Sequence, residues 1–175
     1  QGSLQSLAMK RHAVAFALLF AALSAIAAPP PEPTTVIVVR HAEKAGPTGD
    51  VPLNDAGRAR AQGLARVLAG TGVTAVYDTQ YIRTQQTAEP LASALKIKPT
   101  RLETTDTYPR DLVRDIEKNH AGGTVVVVSH SNLIPDVLRA LGITDPPKIA
   151  DTQYDGLFIV TRGKLLTLRY GAAAR

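Results

Sequence analysis

The sequence has 175 residues and not one cysteine. That excludes a disulfide scaffold, a thiolate zinc site, a cysteine nucleophile and a lipid-modified cysteine anchor. Aromatic residues make up only 5%. With the basic residues scattered along the chain, so few stacking groups argue against a nucleic-acid partner. Neither a heptad repeat nor a collagen-like glycine period is present. Long apolar runs are also missing. The longest near the start, Ala13 to Ile26, is an uncharged stretch of 14 residues, short of the roughly 20 that a membrane span needs.

What is present is the composition of one globular domain, with 45% hydrophobic and 20% charged residues and a mean hydropathy of −0.01. Net charge is +5 and the isoelectric point about 9.7, which suits an anionic ligand. The basic Met9-Lys10-Arg11-His12, the apolar run behind it and the small residues Ala25-Ile26-Ala27 follow the order of a secretory signal. Residues 9–27 are therefore expected to be a signal peptide cleaved after Ala27, leaving no stable membrane span and a periplasmic address. Residues 1–8, ahead of Met9, read as a misplaced start or an appended remnant. Without the segment up to Ala27 the charge falls to +3, because it holds two basic residues and no acid. Residues 28–34, rich in proline, read as an extended spacer, and residues 35–175 as the domain.

Within the domain, strand and helix patterns alternate. Thr35-Val36-Ile37-Val38-Val39 and Thr124-Val125-Val126-Val127-Val128 are unbroken β-branched runs, expected of strands buried on both faces. Val73–Tyr77 and Thr100–Thr104 read as further strands. Helices are expected from an Asn54 or Asp55 cap, with Leu64, Val67 and Leu68 on one face; over Thr84–Leu95, with Pro90 as a kink or boundary; over Pro109–His120; and from Ser131 or Asn132 to Leu141. Leu157–Thr161 and Leu165–Tyr170 read as a hairpin. The pattern predicts a single three-layer α/β/α sandwich, with a mainly parallel sheet and an antiparallel C-terminal hairpin.

Ligand sites in such sheets lie beyond the C-terminal strand ends. One buried run leads into Arg40-His41-Ala42-Glu43-Lys44 and the other into Ser129-His130-Ser131-Asn132, while Arg83-Thr84 follows the strand ending near Thr79. Two arginine forks and two imidazoles are thus predicted at one sheet edge. Arginine forks bind phosphoryl oxygens, and a neutral imidazole can attack phosphorus. A protonated His130 beside a bound dianion, and the free N–H groups of a helix opening at Ser131-Asn132, would add to the anion site. No metal or other cofactor is expected, since the histidines lack ligand spacing and the adjacent arginines repel a cation. Lys44, Arg58 and Arg60 read as a solvated face.

Four ordered segments carry a resemblance: Val39-Arg40-His41-Ala42-Glu43, Leu53-Asn54-Asp55-Ala56-Gly57-Arg58-Ala59-Arg60-Ala61-Gln62, Tyr81-Ile82-Arg83-Thr84-Gln85-Gln86-Thr87-Ala88 and Val128-Ser129-His130-Ser131-Asn132. They resemble the signature segments of the histidine phosphatase (phosphoglycerate mutase-like) superfamily, and the signal points to a small exported bacterial member. The resemblance implies His41 as phosphorylated nucleophile, with Arg40, Arg83 and His130 binding the phosphoryl group; Ser131 and Asn132 are expected to bind it through the helix opening read above. Where many members place an acid after the second histidine, this chain has Ser131. Asp106 is the first candidate to protonate the leaving oxygen, followed by Glu103 and Glu43. The chain lacks the long insertions of the mutases, which favours hydrolysis of an exposed or large phosphomonoester, in the periplasm a cell-envelope phosphate. The alternatives are a non-catalytic phosphate-binding module and a protein phosphohistidine phosphatase. No feature points to a partner protein or sets an oligomeric state.

Overall fold

The structure, a computed structural model, describes residues 32–171. The segments read as remnant and signal, with most of the spacer, lie outside the described residues. Six strands form one sheet: β1 (Thr35–Arg40), β2 (Val73–Thr79), β3 (Thr100–Leu102), β4 (Thr124–Ser129), β5 (Gly156–Thr161) and β6 (Lys164–Arg169). Their order is β3-β2-β4-β1-β5-β6, parallel from β3 to β1 and antiparallel through β5 and β6. Four helices cover it: α1 (Asp55–Leu68), α2 (Ile82–Leu95), α3 (Tyr108–Asn119) and α4 (Ile134–Ala140).

The valine runs explain the layering. Side chains alternate across a strand, so Val36 and Val38 of β1 with Val125 and Val127 of β4 meet Leu112, Ile116, Val137 and Leu138 of α3 and α4. Ile37, Val39, Val126 and Val128 point the other way, onto Leu64, Leu68, Ala88 and Leu91 of α1 and α2. Both strands are therefore apolar at every position between their polar ends and occupy the middle of the sheet, while β3 and β6, at the edges, are largely exposed.

Local chemistry places the element ends. The Asn54 side chain accepts from Gly57 N at 2.8 Å and caps α1. Gly57 is required there, because a Cβ would lie 2.1 Å from the Glu43 carbonyl oxygen. The hairpin turns through Arg162 and Gly163 with φ of 50° and 68°, as a two-residue turn compatible with strand twist demands.

Several expected details differ. Val67 is 52% exposed, because the buried stripe of α1 runs through Arg60, Ala61, Leu64, Ala65 and Leu68 and leaves it to one side. Pro90 sits inside α2 without ending it; burial of Ala88, Leu91 and Ala92 around it outweighs the lost backbone bond. β3 stops at Leu102 because Gln80 takes over the next stretch, accepting from Thr104 N at 3.0 Å and donating to Thr104 Oγ1 at 2.9 Å. Finally, α4 begins at Ile134, since Ser131–Leu133 form a turn in which the His130 carbonyl accepts from Leu133 N and Ile134 N.

Candidate active site

In the parallel register of β1 and β4, Arg40 stands opposite Ser129. His41 N extends that ladder by donating to Ser129 O at 2.8 Å. The two histidines that follow these paired residues thus emerge side by side, with ring centroids 5.4 Å apart. Arg83, in the first turn of α2, completes the edge. The result is a cavity of about 360 Å³ lined by Arg40, His41, Arg83, His130, Ser131 and Asn132, with Lys44, Pro47, Asp151 and Tyr154 at its sides.

The threonines of the Arg83-Thr84-Gln85-Gln86-Thr87 segment hold this geometry. Thr87 Oγ1 accepts from Ala42 N at 2.9 Å and donates to Arg83 O at 2.7 Å, so it ties the residue after His41 to the turn that carries Arg83. Thr84 Oγ1 donates to Tyr81 O at 2.7 Å and meets Thr79 Oγ1 at 2.9 Å; Thr79 Oγ1 lies 3.0 Å from His130 Nε2.

These contacts set the tautomers. His41 Nδ1 is 2.8 Å from the Ala42 carbonyl oxygen, which only accepts. Nδ1 therefore carries the proton and Nε2 keeps its lone pair. At His130, Arg83 Nη2 approaches Nδ1 at 3.4 Å, and arginine only donates. Nδ1 is the acceptor there and Nε2 donates to Thr79. Burial, reinforced by Arg40, Arg83 and Lys44, pushes His41 down to about 4. Burial, reinforced by His41, Arg83 and Arg40, pushes His130 down to about 3. Both rings are neutral at pH 7 against the protein's own charges. A protonated His130 thus requires a bound dianion to offset the two arginines.

The arginines are held by unlike means. Arg40 Nη1 donates to the carbonyls of Ala150, Asp151 and Gln153 at 3.1, 2.7 and 3.1 Å, and its guanidinium lies 4.0 Å from the Tyr154 ring centroid. Burial lowers its pKa. The Arg83 guanidinium stacks on Tyr81 at 4.3 Å; its Nη1 is 3.7 Å from Asp50 Oδ1, too far for a hydrogen bond. Arg40 Nε, Arg83 Nε and Arg83 Nη1 are buried without a hydrogen-bond partner. Buried donors are nearly always satisfied, so three unused ones on arginines that line the cavity with two neutral imidazoles could receive an anion.

A family profile described as the histidine phosphatase superfamily (branch 1) matches residues 36–106, the span from β1 to just past β3. Over that segment the chain is similar to the histidine phosphatase superfamily. It is 31% identical over 122 residues to an 8-oxo-(d)GTP phosphatase of Mycolicibacterium smegmatis, covering 63% of this chain but only 38% of that relative's length. Its fold is similar to that of a mycobacterial glucosyl-3-phosphoglycerate phosphatase, with a TM-score of 0.60 at 16% identity over 73% of this chain and 90% of the other. The protein histidine phosphatase SixA, complexed with tungstate, gives 0.60 at 18% identity over 78% and 95%. Arg40, His41 and Arg83 fall within the matched segment, whereas His130 lies outside it.

The remaining sequence candidates lie elsewhere. Asp106 is exposed in the turn before α3, Glu103 is exposed after β3, and neither lines the cavity. Glu43 is committed to Arg60, whose Nε donates to both carboxylate oxygens at 3.0 and 2.9 Å and whose Nη2 donates to Oε1 at 2.7 Å. Arg60 is correspondingly buried rather than part of a solvated face, and Lys44 stands at the cavity wall. The helix that was to present N–H groups at Ser131 starts three residues later, although both Ser131 and Asn132 line the cavity. Asp151 and Tyr154 have no signal in a local motif. They reach the cavity only because Arg40 fastens their loop.

Proposed function

We propose that this protein hydrolyses phosphomonoesters through a phosphohistidine formed on His41, without a metal. The observation that carries the proposal is the set of three buried, unpartnered guanidinium nitrogens around a neutral imidazole with its Nε2 lone pair free. Nε2 attacks phosphorus while Arg40 and Arg83 hold the phosphoryl oxygens. The charge that spreads onto those oxygens in the transition state meets donors already in place. His130 is drawn toward protonation by the bound dianion and adds a further donor. Water then releases phosphate from His41 and restores the free base. The known relatives are phosphatases, which supports this class of reaction.

The substrate we propose is an exposed phosphate of the cell envelope. That address rests on the leader-like Met9–Ala27 segment alone, and recovery of the mature protein from the cytoplasm would remove it. The chemistry is tested by hydrolysis of 4-nitrophenyl phosphate with EDTA present, using protein that begins at Ala28. Turnover is expected in the wild type, and His41→Ala is expected to lower it by at least about 10³-fold. Phosphate binding without turnover would instead favour a non-catalytic phosphate-binding module.

A further inference from the structure

Cleaving an alkyl phosphate requires a proton for the departing oxygen, and the groups identified so far do not supply one. His41 is the nucleophile, and its Nδ1 proton is held by the Ala42 carbonyl. Glu43 is locked to Arg60. Asp50 accepts from Ile82 N at 2.9 Å and does not line the cavity. Among the described residues that line the cavity, Asp151 is the sole carboxylic acid.

Its position is secured through the neighbours of both histidines. Its main-chain carbonyl accepts from Arg40, directly before His41, at 2.7 Å. Its carboxylate oxygen Oδ1 accepts from Ser131 Oγ, directly after His130, at 3.3 Å. It is exposed and lines the same cavity as both histidines and both arginines.

We propose that Asp151 is the proton donor to the leaving oxygen and the base that accepts a proton from the attacking water. This rests on the phosphatase reading above and completes its proton balance. In the first step the bond between His41 Nε2 and phosphorus forms and the phosphorus–oxygen ester bond breaks. The released oxygen takes the Asp151 proton and leaves as the alcohol. In the second step water attacks phosphorus, gives a proton to the Asp151 carboxylate, and the nitrogen–phosphorus bond breaks to release hydrogen phosphate. The acid consumed in the first step is regenerated in the second.

The test compares two leaving groups in wild type and Asp151→Asn. Nitrophenolate departs without a proton, whereas the alkoxide of glycerol 2-phosphate needs one. Asparagine keeps the main-chain bond to Arg40. For Asp151→Asn, kcat/KM on glycerol 2-phosphate is expected to fall by about 100-fold or more, and on 4-nitrophenyl phosphate by less than about tenfold. With the second step slowed, the variant should also release a burst of about one nitrophenolate per chain and accumulate acid-labile phosphohistidine. Asp151→Glu should recover part of the activity on glycerol 2-phosphate. Equal losses on both substrates, or no loss on either, in a protein whose wild type is active, would overturn the role of Asp151 and leave the phosphatase reading standing. A wild type inert on both substrates would overturn the two together.

Discussion

Arg60 and Arg83 are both arginines with little exposed side chain, 5% and 14%, on helices that cover the same face of the sheet. Arg60 is matched by protein: a bidentate carboxylate from Glu43 and the Tyr170 carbonyl at 3.0 Å. Arg83 has two guanidinium nitrogens buried and unmatched. The difference separates an arginine whose donors are spent on the fold from one whose donors are left open to a ligand. A buried guanidinium whose donors are used is a clamp, joining the exit of β1 to α1 and to the chain after β6. One whose donors are idle costs stability until an anion arrives.

Methionine keeps the unbranched apolar stem of either side chain while removing its donors, and so it tests the contrast directly. Arg60→Met leaves the Glu43 carboxylate without its partner and should lower unfolding stability by about 3–5 kcal/mol in urea denaturation, with phosphate affinity near that of the wild type. Arg83→Met should do the reverse. Stability is expected to stay within about 1 kcal/mol, whereas the inorganic phosphate dissociation constant measured by calorimetry should rise by about 10- to 100-fold, the worth of one or two charge-assisted bonds. If both variants lost stability alike, the distinction drawn from their partners would fail.

A smaller effect concerns pH. His41 and His130 sit at about 4 and about 3 in the folded protein against 6.5 ordinarily. As pH falls below 6.5 the unfolded chain takes up protons that the folded chain refuses. Their contribution is therefore complete above 6.5, declines as pH drops, and is gone below about 3. Between pH 7 and pH 5 the wild type should lose about 2 kcal/mol or more of stability. The loss should be smaller in His130→Gln and smaller again when phosphate is bound, because a dianion raises both groups. A wild-type curve parallel to that of His130→Gln would show that burial does not suppress protonation there.

Much of this architecture is legible along the chain. Continuous β-branched runs can only be strands buried on both faces, and the polar residues at their ends must then lie at one edge of the sheet. Arg40, His41 and His130 could be placed together on that basis, and Arg83 by the strand–helix unit that carries it. The roles of Thr79, Thr84 and Thr87 were not legible, because a hydroxyl's partners depend on which loops meet. Val67 and Pro90 show local preference yielding to packing: the stripe of α1 is selected by what the sheet offers, and burial around Pro90 carries α2 through it.

The candidate acid shows the limit most clearly. Asp106 follows a strand and so reads as close to the site along the chain, yet it is exposed and does not line the cavity. Asp151 is 110 residues from His41 in sequence and enters because Arg40 gathers three carbonyls of its loop. The sequence by itself determined the sandwich, its central strands and the residues at their ends, since periodicity and burial are local properties of a chain. The tertiary structure alone decided which arginine is a clamp and which is left with idle donors, which histidine nitrogen carries the proton, and which carboxyl group faces the cavity. Apart from the His41 tautomer, which the neighbouring Ala42 carbonyl fixes, each of these depends on groups distant in sequence that only the fold brings together.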